Sequence, residues 1–137
     1  MRDYNKILFI SSEFPPGPGG IGNHAWNLVR NLNSIVPVDV LTISDYVSIR
    51  DSESFDQKEK FNIYRFKRFS ISIITYTHRI FHVINYVRQK QYSHCILSGF
   101  FSLLMCPIIH LINKKIIKIG VLHGSELIQS NILFKFI

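Results

Sequence analysis

The chain has 137 residues, 47% of them hydrophobic and 18% charged, and a net charge of +7. That length suits one domain with a buried core, and the composition excludes a low-complexity or collagen-like chain. Cys95 and Cys106 form no C-x-x-C or Cys/His metal pattern. Two buried, reduced thiols are expected, a usage that suits the cytosol. Asp3 and Glu13 flank a short apolar run, which excludes a signal peptide.

The periodicity predicts strands alternating with helices. The first strand is expected over residues 6–11 and the first helix over 21–33. A second strand follows over 38–43, where Val38, Val40, Leu41 and Ile43 are apolar. Residues 45–59 are polar and acidic and read as a loop. The third strand is expected over 61–66 and a long helix over 70–91. A fourth strand over 94–97, a helix over 100–112 and a fifth strand over 117–122 complete the pattern. Near-continuous apolar strands alternating with helices predict an α/β fold. It would be a Rossmann-like parallel sheet with helices on both faces.

Two segments call for specific tests. Residues 95–112 form a largely apolar run near the length of a membrane span. Gly99, Pro107 and His110 interrupt it, and a buried strand–turn–helix fits the alternation better. His78 and His82 stand four apart on the long helix, a spacing that can chelate a metal. No third ligand or intervening Glu accompanies them, and no metal site is expected.

Charge is unevenly spread. Residues 1–59 hold five Lys/Arg against eight Asp/Glu, whereas residues 60–137 hold eleven Lys/Arg against Glu126 alone. So basic a half suggests an anionic partner, or else a solvated surface with none. Nucleic acid ranks last, because no helix-turn-helix, zinc-finger or RRM pattern accompanies the charge. An anionic membrane surface is the leading partner. Arg65, Lys67, Arg68, Arg79, Arg88 and Lys90 around the long helix are its candidate contacts.

The richest segment joins the first strand to the first helix: Ser11-Ser12-Glu13-Phe14-Pro15-Pro16-Gly17-Pro18-Gly19-Gly20-Ile21-Gly22. Glycine lets backbone N–H groups approach a ligand, and a helix N-terminus favours an anion. Gly17-x-Gly19-x-x-Gly22 formally matches the dinucleotide fingerprint of nicotinamide enzymes. It departs from that fingerprint in three ways. Ser12 to Pro16 separate the first glycine from the strand, three prolines remove donors, and Asp39 and Asp45 are poorly placed for a ribose.

The stretch Lys6 to Pro16, followed by Gly19-Gly20-Ile21 and by Leu28 to Leu32, resembles the start of family-4 glycosyltransferases of the GT-B fold. A second match is Ile119-Gly120-Val121-Leu122-His123-Gly124-Ser125-Glu126, similar to the family's apolar strand ending in His-Gly or His-Asp. The resemblance spans nearly the whole chain, as the N-terminal, acceptor-side domain only. It implies that the C-terminal nucleotide-sugar domain, with its E-x7-E motif, is missing, so that this chain alone is inactive or nearly so. The apolar end at Leu133 to Ile137 fits a truncation.

By resemblance, Gly19, Gly20 and Ile21 would seat the donor diphosphate, and His123 would act at the transferring sugar. Gly124, Ser125 and Glu126 would line the site beside it. The implied activity moves a sugar from a nucleotide-sugar donor to a glycan or lipid-linked acceptor in envelope polysaccharide synthesis. No cofactor beyond the nucleotide-sugar co-substrate is implied. A cytoplasmic protein, peripheral on the inner face of the membrane, would follow. A non-catalytic binding module with the same fold is the alternative, and a nicotinamide oxidoreductase the distant third.

Overall fold

The computed structural model describes residues 6–43 and 47–124. In chain order the elements are β1 (Ile7–Ser11), α1 (Gly20–Asn33), β2 (Val38–Ile43), α2 (Ile49–Asp56) and β3 (Asn62–Phe66). They continue as α3 (Ser72–Gln89), β4 (His94–Ser98), α4 (Phe100–Leu104), α5 (Cys106–Ile112) and β5 (Ile117–Val121). The strands form one sheet in the order β3-β2-β1-β4-β5, and every pairing is parallel. This is a Rossmann-like α/β fold.

All five residues of β1 are buried, as a central strand covered on both faces requires. Successive side chains point to opposite faces, so β1 feeds two cores. Ile7 and Phe9 join Val38, Val40 and Ile96 beneath Ala25 and Val29 of α1, with Phe55 of α2 packed alongside. Leu8 and Ile10 join Leu41, Cys95 and Leu97 beneath Val83 and Val87 of α3, Met105 at the α4–α5 junction and Ile109 of α5. Thus α1 and α2 cover one face, and α3, α4 and α5 the other.

Three expectations need correction. The polar stretch read as a loop contains α2, which the Ser48 hydroxyl caps by accepting a hydrogen bond from the Asp51 N–H at 3.1 Å. Its sequence hides it because Ser52 is its one fully buried residue. The helix expected over 100–112 is two helices meeting at Met105, with Pro107 in the first turn of α5. Proline lacks an N–H and crowds the preceding turn, so a helix restarts there more readily than it continues. Cys95 is buried, and burial pushes its thiol well above the usual range, but Cys106 is only partly buried.

Among the described residues, no helix is long and apolar enough to cross a membrane, and no group of three His, Cys, Asp or Glu can hold a metal ion. His78 and His82 do meet, with their Nε2 atoms 3.1 Å apart.

The amino edge of the sheet is tied by one buried carboxylate. Asp39 of β2 accepts hydrogen bonds from Asn62 at 2.9 Å and the Tyr92 hydroxyl at 2.8 Å. It also pairs with Lys6 at 2.9 Å and Lys90 at 3.4 Å. Burial by itself raises a carboxyl pKa, but the bonds from Lys6, Asn62 and Tyr92 outweigh it and hold Asp39 below the ordinary value.

Candidate functional site

Parallel strands bring all their carboxyl ends to one edge, and the order β2-β1-β4-β5 makes β1 and β4 the switch point. There the chain leaves β1 toward one face and β4 toward the other, which opens a crevice for a ligand. The loops after β1, β4 and β5 converge at this point.

The β1 and β4 ends are locked to each other. Ser11 registers with Ser98, and the Ser12 N–H donates to the Ser98 carbonyl at 3.0 Å. Gly99 then turns the chain into α4 with φ of 89°. A Cβ there would lie 2.5 Å from the Ser12 hydroxyl oxygen, so both the backbone angle and the space demand glycine. The Ser12 and Ser102 hydroxyls approach to 3.4 Å across the turn.

The glycine turn sits on the same rim. Gly19 precedes α1 with φ of 139° and offers no side-chain cap, and the first turn of α1 carries no acid. No side chain therefore caps its leading N–H groups, and a helix start left in that state attracts negative charge. The carboxylate of Glu13 stands beside it, 2.6 Å from where a Cβ on Gly19 would be. Gly20 is exposed, and Ile21 is partly buried.

Arg65 holds the proline turn in place. Its guanidinium grips Asp56 of α2 at 2.9 and 2.7 Å and donates to the Pro15 carbonyl at 2.6 Å.

His123 follows β5 and points back to the switch point. Its Nε2 lies 3.1 Å from the Ser98 hydroxyl. The His24 ring, from the second turn of α1, meets the His123 ring edge to face, with centroids 5.4 Å apart. The fold thereby joins the glycine turn, through its helix, to the β5 end. Gly19, Gly20, Ile21, His123 and Gly124 all belong to this carboxyl rim; Ser125 and Glu126 lie outside the described residues.

His24, Ser98, Ser12 and Glu13 complete the rim, and sequence reading singled out none of them as a site residue. His24 carried one usable signal: it stands four residues after Gly20, one helical turn into α1.

The basic set divides. Lys67, Arg68 and Arg88 are exposed. Arg65 is engaged with Asp56 and Pro15, with only 11% of its side chain exposed. Arg79 is buried against the α4 side of α3, its guanidinium over the rings of Phe101 and Tyr76 at 5.0 and 5.7 Å. Lys90 pairs with Asp39 and lies over the rings of Tyr64 and Tyr86 at 4.6 and 4.9 Å. Arg65 and Arg79 are therefore structural cations and not part of an exposed basic surface, and Lys90, though about one-third exposed, is engaged by Asp39 and two rings.

A groove of about 470 Å³ opens between Trp26, Arg30, Lys58 and Phe61. It lies toward the start of β3, away from the carboxyl rim, and gathers no comparable set of imidazoles and hydroxyls.

Asp39 is consumed by its partners at the opposite edge of the sheet, so it cannot serve a ribose at the rim. That removes the acid nearest to the nicotinamide pattern. No family model matches the chain, and no curated protein matches it.

Proposed function

We propose that this chain is the acceptor-side domain of a sugar-transfer enzyme. It would move a sugar from a nucleotide-sugar donor to a glycan or lipid-linked acceptor in cell-envelope polysaccharide synthesis. The observation that carries this reading is the meeting of α1 and the β5 end through His24 and His123 at the switch point.

In such a transfer an acceptor oxygen bonds to the anomeric carbon as the bond to the diphosphate oxygen breaks. The electron pair leaves with the diphosphate, which takes up the hydroxyl proton. Negative charge thus grows on the leaving group, and uncapped N–H groups at the start of α1 would stabilise it. His123, oriented by Ser98, would hydrogen-bond the transferring sugar or the acceptor. The nucleotide base is left to a second domain, and no further cofactor enters. Free thiols at Cys95 and Cys106 favour a reducing compartment, the cytoplasm.

One observation favours the second reading, a binding module that does not transfer sugar. Glu13 already sets a carboxylate beside Gly19, where a diphosphate would approach.

Titration with UDP- and GDP-sugars and with NAD, with a second, nucleotide-binding domain attached and followed through the imidazole resonances of His24 and His123, separates the readings. Sugar nucleotides are expected to move both signals and NAD neither. A response to NAD alone overturns the transferase assignment; a response to free sugars alone supports the binding module.

A further inference from the structure

The outer surface of the α3–α4–α5 layer combines exposed apolar side chains with cations and lacks acids of its own. Ile73 and Phe81 of α3 are 71% and 60% exposed, and Leu111 of α5 is 79% exposed. Ile74 and Leu104 are exposed beside them. Ile74, Phe81 and Arg88 recur every seven residues and so share one line along α3. The Tyr76 and Phe101 rings meet at 5.4 Å, joining the start of α3 to α4.

Cations stand at the ends of this apolar surface. Lys67 and Arg68 precede α3, Arg88 lies in its last turn, and Lys114 and Lys115 follow α5; all five are exposed. No Asp or Glu occurs from Lys60 to Ser125. The opposite layer is mixed: exposed Ile35, Ile49, Arg30 and Arg50 stand among exposed Asn23, Asn27 and Asn31 on α1 and exposed Asp51 and Glu53 on α2, so its cations share the layer with acids.

We propose that the outer surface of α3, α4 and α5 docks on an anionic lipid bilayer. An interfacial helix needs apolar side chains to enter the headgroup boundary and cations to meet lipid phosphates. This layer has both, and its own stretch of chain from Lys60 to Ser125 contains no Asp or Glu. A nucleic-acid surface would place polar or aromatic chains between its cations, not isoleucine and leucine. A second copy docking by the same surface would bring like charges together. The surface also begins at the carboxyl rim, since α3 follows the end of β3 and α4 the end of β4. Docking therefore sets the candidate site next to the lipid plane. This inference stands whether or not the chain serves sugar transfer.

The test is sedimentation of the full chain with phosphatidylcholine vesicles, with and without phosphatidylglycerol, at low and high salt. Binding is expected only with phosphatidylglycerol and should weaken with salt. Arg88→Gln should lower partitioning roughly fivefold, since a basic residue near an anionic leaflet contributes about 1 kcal/mol. Phe81→Ser should lower it about tenfold through lost apolar contact. Both positions are exposed, so unchanged far-UV circular dichroism confirms that the variants fold. Equal binding to neutral vesicles overturns the proposal. So does insensitivity to both substitutions, tighter binding to an RNA oligonucleotide than to the anionic vesicles, or a dimer that Phe81→Ser dissolves.

Discussion

An imidazole at the end of a strand swings about two torsions, and its chemistry depends on what restrains them. His123 is restrained from distant parts of the chain by, among others, the Ser98 hydroxyl at 3.1 Å and the His24 ring at 5.4 Å. A hydrogen bond to one ring nitrogen governs which tautomer the ring adopts. With a second domain attached, His123→Ala is expected to lower transfer about 10²-fold, the scale of losing one contact to the transition state. His24→Ala should lower turnover less, with little change in KM, and His24→Phe should restore it by keeping a ring edge against His123. If His24→Phe is as slow as His24→Ala, packing is not how His24 acts. His123 was legible in the sequence because it ends an apolar strand followed by glycine. His24 and Ser98 were not, since their meeting with His123 depends on which strands become neighbours.

The elements were legible where burial writes a period into the sequence and obscure where it does not. β1 is apolar throughout because it is central, and α1 buries Gly22, Ala25 and Val29 at helical spacing. α2 lacks such a stripe and is announced only by Ser48 and Asp51, a cap three residues apart. The break at Met105 is announced by Pro107 alone. Lys90 and Arg79 show the complementary failure: charge in a sequence does not reveal that an aromatic ring lies beneath it. The turn from β4 into α4 offers a test at this scale. Gly99→Ala forces a side chain into a positive-φ position and against the Ser12 hydroxyl. A cost of about 2 kcal/mol in urea unfolding is expected, within the range for such backbone strain. The same change should displace Ser12 and shift the His123 resonances. Wild-type stability in Gly99→Ala would show that the turn relaxes without strain.

At the scale of the whole molecule the two edges of the sheet divide the work. The carboxyl edge leaves imidazoles, hydroxyls and a helix start together, while the amino edge is closed by Asp39, whose carboxylate is fully buried. Its partners come from three separate segments, Lys6 before β1, Asn62 at the start of β3, and Lys90 and Tyr92 between α3 and β4, so one group ties β1, β2, β3 and the end of α3 together. Because folding lowers its pKa, the stabilisation is present above the unfolded value of about 4. It disappears as pH falls through the lower folded value, when the folded carboxylate takes up its proton. Asp39→Asn should cost about 3 kcal/mol at neutral pH. That is the low end for breaking a buried pair, since Lys6 and Lys90 are about one-third exposed and can turn to water. The variant should also lose less stability than the wild type on acidification, because the group responsible is gone. Urea unfolding of both proteins across a pH series measures the two effects together. Parallel acid losses in wild type and Asp39→Asn would assign the acid sensitivity to the other carboxylates and reduce Asp39 to one polar contact among several.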